Sequence, residues 1–218
     1  TNSTPTFTIS NYTADNLYAA INCNLAGDIL TGLFNEDSWH HSAPSGFSAL
    51  TKTVTGTGNY CTWSPTANGG DVTLSEGNRV MTAPNPNANN FVYGTHAMRT
   101  GKWYMEFGFI RAVDFNDSGV YLVDQTFDFG SDGPHTTASN NQWGITLESN
   151  TQLDLRHNNS RTSNSSFTIP NSESWDYKND RLLMAFDADN KKVWFGMYDA
   201  DSASSYWLEN DGTFETSQ

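Results

Sequence analysis

The chain has 218 residues, with 24 acidic against 11 basic side chains and a formal charge of −13. Such a surface, without any basic cluster, repels phosphate backbones and argues against nucleic acid as a partner. No stretch approaches the about 20 apolar residues of a membrane helix, which argues against membrane insertion, and an aromatic content of 13% points to a core built on Trp, Phe and Tyr.

The N-terminal fifty residues read as short strands at Thr6–Ile9, Leu17–Cys23 and Ile29–Phe34. A helical turn over the Ala-rich Leu17–Ile21 is cut short by Asn22, Asn24 and Gly27. Residues 36–50 follow as a loop ending in a small apolar plug, and residues 51–58 (Thr-Lys-Thr-Val-Thr-Gly-Thr-Gly) read as an extended linker. This divides the chain into an N-terminal segment with linker, 1–58, and a main unit, 59–218.

In the main unit, Asp71–Ser75 and Arg79–Thr82 form a hairpin around Glu76-Gly77-Asn78, and the Pro- and Asn-rich stretch 83–90 is a surface loop. Phe91–Met98 leads into the clearest strand, Gly101–Arg111. There Trp103, Met105, Phe107 and Phe109 alternate with Lys102, Tyr104 and Glu106, the period of two that lays one face on a core. Gly119–Asp124, Gln142–Glu148 and Gln152–Arg156 are further strands, and 125–141 and 157–166 are polar loops. Arg181–Tyr198 reads as two strands around the turn Asp187-Ala188-Asp189-Asn190. No α-helix is expected, so the fold class is an all-β antiparallel sandwich.

Four segments also carry a family resemblance. They are Gly101-Lys102-Trp103-Tyr104-Met105-Glu106, the Asp-rich turn with Lys192-Val193-Trp194-Phe195-Gly196, Tyr60-Cys61-Thr62-Trp63-Ser64-Pro65, and the hairpin Asp71–Asn78. Together they resemble the SPRY domain, in the form found in phage and bacterial structural proteins. The resemblance implies a concanavalin-like jelly-roll sandwich whose end loops, here 125–141 and 157–166, grip peptides or other partners.

Pro44-Ser45-Gly46-Phe47-Ser48-Ala49-Leu50 resembles the phrase that closes such units, and Thr4-Pro5-Thr6-Phe7 resembles the stretch after their late turn, here Asn210-Asp211-Gly212-Thr213-Phe214. The chain therefore reads as beginning with strands of the closing type and ending before them. Because unpaired edges and a cut core demand a donor, residues 1–50 are expected to complete either their own sandwich or a neighbour's in a tandem array.

For chemistry, jelly-roll glycosidases place two carboxylates on one strand face. The nearest string here, Glu209-x-Asp211-x-x-x-Glu215, has the wrong spacing and a turn-like Asp-Gly. The histidines His40, His41, His96, His135 and His157 are dispersed without cysteine partners, so no zinc site is expected. Asp114, Asp117, Asp187 and Asp189 are candidate calcium ligands, but their spacing is not that of an EF-hand and each suits a turn. Trp39, Tyr121, Trp143 and Trp207 are candidate ligand-binding aromatics, each also suited to the core. Cys23 and Cys61 are a candidate disulfide or two buried thiols. Sequons stand at Asn2, Asn11, Asn116, Asn158 and Asn164. The expected function is a non-enzymatic structural and recognition module without cofactor, on an extracellular or virion surface. Its expected partners are copies of itself, or a host-surface glycan or protein; the alternative is a solitary glycan- or peptide-binding lectin-like domain.

Overall fold

The structure is a computed structural model that describes residues 4–9, 17–23, 27–52, 59–69, 72–84, 90–111, 118–124, 142–157, 160–170, 174–209 and 214–216. These residues form β1 (Phe7–Thr8), β2 (Leu17–Cys23), β3 (Ile29–Leu33), β4 (Ser48–Ala49), β5 (Thr51–Lys52), β6 (Asn59–Tyr60), β7 (Trp63–Gly69), β8 (Thr73–Ser75), β9 (Val80–Thr82) and β10 (Asn90–Gly94). The rest are β11 (Lys102–Arg111), β12 (Ser118–Asp124), β13 (Gln142–Ser149), β14 (Gln152–His157), β15 (Ser160–Thr168), β16 (Arg181–Asp187), β17 (Lys192–Asp199), β18 (Ser204–Leu208) and β19 (Phe214–Thr216). A 3₁₀ turn spans Glu36–Ser38.

Two sheets result. One has the order β19-β18-β17-β16-β11-β3-β9-β8, with β1 beside β17 and β4 beside β11; the other runs β15-β14-β13-β12-β2-β10-β7. Pairing among the described residues is antiparallel except for β4 on β11. Met105, Phe107 and Phe109 of β11, with Leu182, Met184 and Phe195, face Ile21, Val92, Val120, Leu122 and Ile145 of the other sheet in one core. The fold is thus an all-β sandwich, as the alternation in Gly101–Arg111 requires.

The N-terminal strands stand inside both sheets. Ile21 of β2 lies between Val120 of β12 and Val92 of β10. β3 lies between β11 and β9. Nearer the N-terminus, the Thr6 hydroxyl donates to Leu208 O at 2.6 Å and accepts from Phe195 N at 2.9 Å. The expected linker begins and is followed by strand, because β5 pairs with β6 in a two-stranded ribbon.

Sequence and structure part at three places. Residues 157–166, expected as a polar loop, contain most of β15, which pairs with β14 from Gln152↔Thr168 to His157↔Ser160. An edge strand needs hydrogen bonds on one side only, so it forms without apolar alternation. β7 runs through Pro65 for the same reason, since it too is the end strand of its sheet. β18 was hidden because Ser204-Ser205 dilutes its apolar content, yet it pairs with β17 from Ser204 to Trp207.

Close packing of the sheets gives a direct test at Gly119. A Cβ there would press into the Ile145 carbonyl oxygen and the Thr146 backbone, which cannot swing aside. Gly119→Ala should lower stability by about 1–3 kcal/mol, read as a lower urea midpoint. An unchanged midpoint would show that β12 and β13 do not approach this closely.

Candidate functional site

The outward face of the ten-stranded sheet is covered by a strap, residues 35–47. Its start is set by Asn35, whose side chain accepts from Asp37 N at 3.1 Å, and by Trp39, whose Nε1 donates to Leu33 O at 2.7 Å. Trp39 meets Tyr104 edge-on at 4.8 Å between centroids, and Phe47 meets Trp194 edge-on at 5.8 Å. Beneath lie Tyr104, Leu183, Ala185 and Trp207, a second apolar cluster outside the main core. Tyr104 and Glu106, at even positions of Gly101–Arg111, therefore face a covered surface, not open solvent.

Glu106 fastens the strap. It is fully buried, and it accepts from His40 N at 2.8 Å, His41 N at 2.9 Å and the Tyr104 hydroxyl at 3.0 Å. Burial raises its pKa, while the two N–H groups, the phenol and the charge of Arg181 pull it back down. Arg181 in turn places Nη2 3.3 Å from His40 Nε2, and its Nη1 donates to Lys178 O and Asp180 O. His40 and His41 are both held below their ordinary pKa by burial, His40 also by Arg181.

These shifts have a definite sign. A histidine whose pKa is lowered on folding takes its proton first in the unfolded chain, so stability falls as pH drops from about 6.5 through the folded value. Glu106, raised on folding, works the other way as its buried charge is removed. His40→Gln/His41→Gln keeps the backbone donors and removes the destabilising titration, together with the His40 contact to Arg181 and the His41 ring contact to Tyr198. Urea midpoints at about pH 7 and about pH 5 should therefore fall less, or rise, in this variant. Parallel pH slopes in variant and wild type would show that the two rings do not control the strap.

Beside Glu106 opens a cleft of about 320 Å³ lined by Thr31, Leu33, Gly108, Phe109, Tyr177, Lys178 and Arg181. Its origin is a gap in the sheet surface. Gly108 of β11 pairs with Thr31 of β3, and on its other side the space a Cβ would take lies 3.3–3.4 Å from the Arg181 side chain.

The sequence-predicted residues fall in several places. Trp39 and Trp207 come together, both packed on Tyr104. Trp143 is in the main core, stacked on His157 at 5.3 Å, and Tyr121 is buried on the outward side of the other sheet. The four candidates therefore form no common ligand surface; alternation sends Tyr121 and Trp143 to opposite faces of their sheet. Asp187 is engaged by Asn190 and by Lys102 at 3.4 Å, and Asp189 accepts from Gly101 N, the work of turn residues. Asp114, Asp117 and the loop 125–141 lie outside the described residues, as do the sequons apart from Asn164 on β15.

Cys23 and Cys61 are free buried thiols, and burial pushes Cys61 up to about 11. The candidate bridge is not formed because the two stand at opposite ends of β2. Cys61 Sγ lies behind Gly94, next to Ala19, whereas Cys23 pairs with Asn90. Four residues of strand separate Ala19 from Cys23, about 13 Å at 3.3 Å each, beyond the reach of a disulfide.

Sequence reading missed Glu106, His40, His41 and Arg181 as one cluster. The available signal was a carboxylate in the middle of a strongly apolar strand, which has to find donors when buried. Comparisons with protein-family models, with curated proteins and with solved structures find no match.

Proposed function

We propose that the protein is a non-enzymatic structural and recognition module of an extracellular or virion-surface assembly, with the strapped face and its cleft as the binding surface for a glycan or peptide. The observation that supports this best is the commitment of Glu106. A buried carboxylate with a raised pKa is the usual mark of a general acid, but here both oxygens are occupied by the strap's N–H groups and a phenol. It holds a rigid platform beside an open cleft. The acidic surface and the SPRY resemblance point the same way, toward a displayed domain with protein or sugar partners and no nucleic acid.

A second reading, assembly with copies of itself, draws on the N-terminal strands. β1, β2 and β3 make long-range pairings that a neighbouring copy offers equally, the geometry of strand exchange. Light scattering across a concentration range separates the two. A monomer with cooperative unfolding supports the self-closed recognition domain, and growth into chains supports assembly. Release of reducing ends from a polysaccharide, lost in a folded carboxylate variant, would overturn the non-enzymatic reading altogether.

A further inference from the structure

The cleft holds two polar atoms that the fold leaves unanswered. Arg181 is only 9% exposed, and its Nε is buried without a hydrogen-bond partner. Thr31 Oγ1 is likewise buried, and neither atom has a partner among the described residues. A buried donor without an acceptor costs free energy comparable to a lost hydrogen bond, so each such orphan calls for a partner, which a ligand or an ordered water can supply. Both atoms belong to side chains lining one cleft, on either side of Gly108.

Their arrangement defines the ligand. The Arg181 Nη1 group is committed to Lys178 O and Asp180 O, and Nη2 faces His40, so the planar fork that would grip a carboxylate or phosphate is already taken. The guanidinium charge is also already met by Glu106, Asp180 and Asp176. An anion would add negative charge to that set, on a chain of formal charge −13. Of the buried polar atoms in the lining, which also carries the Tyr177 phenol and Lys178, what remains is one N–H donor and one hydroxyl, which a neutral ligand hydroxyl satisfies by accepting from the first and sharing a hydrogen bond with the second. A volume of about 320 Å³ is at the small end of ligand sites, the size of a single ring, and Tyr177 and Leu33 give it apolar walls.

We propose that this cleft binds a neutral pyranose ring, one of whose hydroxyls pairs with Arg181 Nε–H and Thr31 Oγ1. This rests on the recognition reading and assigns its site and ligand class. The test is titration of the isotope-labelled full chain with the methyl glycosides of glucose, galactose and mannose, with glucuronate as the charged comparison. At least one neutral glycoside should saturably shift the amides of Thr31, Gly108 and Lys178, and glucuronate should bind more weakly. Thr31→Val, which keeps shape and β-branching but loses the hydroxyl, should weaken binding about fivefold. Gly108→Val, with its fold checked by circular dichroism, should abolish binding by filling the floor.

Tighter binding of glucuronate, an unaffected Thr31→Val, or no shift at these amides would each overturn the proposal. A screen on immobilised glycans keeps the two levels apart. Retention undiminished in Gly108→Val means that recognition lies elsewhere on the protein. Absence of retention on any glycan counts against glycan recognition itself.

Discussion

Trp63→Ala should cost about 3–5 kcal/mol, the range for removing a large buried aromatic. Against a typical total of about 5–15 kcal/mol, that leaves the chain close to unfolding. Trp63 is fully buried, packs edge-on to Phe34 at 4.9 Å and stacks on Phe107 at 6.1 Å. Its Nε1 donates to Arg79 O at 2.8 Å. The ring is seated against Gly32, where a Cβ would come within 2.8 Å of it, so that position has no side chain to fill the hole. Trp63→Phe should fall between wild type and Ala, because it keeps most of the apolar contact but loses the indole hydrogen bond to the Arg79 carbonyl, which retains Gly32 N at 2.9 Å as a donor. Urea unfolding followed by circular dichroism reads both. A loss below about 1 kcal/mol for Trp63→Ala would mean that β7 is not docked over the core.

Trp63 also shows what the sequence could and could not reveal. Its segment was recognisable as the start of the main unit, but not as a strand, because Pro65 and the following polar residues obscure the period of two. Gly101–Arg111 and Arg181–Tyr198 were legible since their buried faces write themselves directly into alternation, and both became central strands. Leu17–Cys23 was legible as a strand but not as the centre of a sheet. Its neighbours β10 and β12 come from distant parts of the chain, and sequence spacing carries no register information over such separations.

The site was less legible than the fold. Aromatic residues were chosen as candidates because their chemistry suits stacking, and packing claimed Trp143 and Tyr121 first. The cluster that forms joins His40 and His41 of the strap to Glu106 of β11 and Arg181 of β16, across up to 141 positions of sequence. Gly108 looked like an interruption in an apolar strand. In the fold it is the missing side chain between Thr31 and Arg181, and hence the floor of the cleft.

Glu106→Gln should release the strap at a cost of about 2–3 kcal/mol. The variant matches the carboxylate in shape, but because His40 N and His41 N bond to different oxygens, either orientation of the amide turns its NH₂ group on one of these N–H donors. At most one oxygen can still accept, so donors are left facing donors beneath a buried surface. The released strap should be visible locally before global unfolding. Amide exchange at His40 and His41 should accelerate, and Trp39 emission should shift toward the solvated wavelength as it leaves Tyr104. Tyr104→Phe removes one donor and no acceptor, so it should cost at most about 1 kcal/mol and leave the His40 and His41 amides protected. That contrast assigns the effect to the strap's attachment and not to general loosening of β11. Equal exchange rates in Glu106→Gln and wild type would show that the aromatic contacts alone hold residues 35–47 in place, and the rigid-platform argument for a binding face would lose its physical basis.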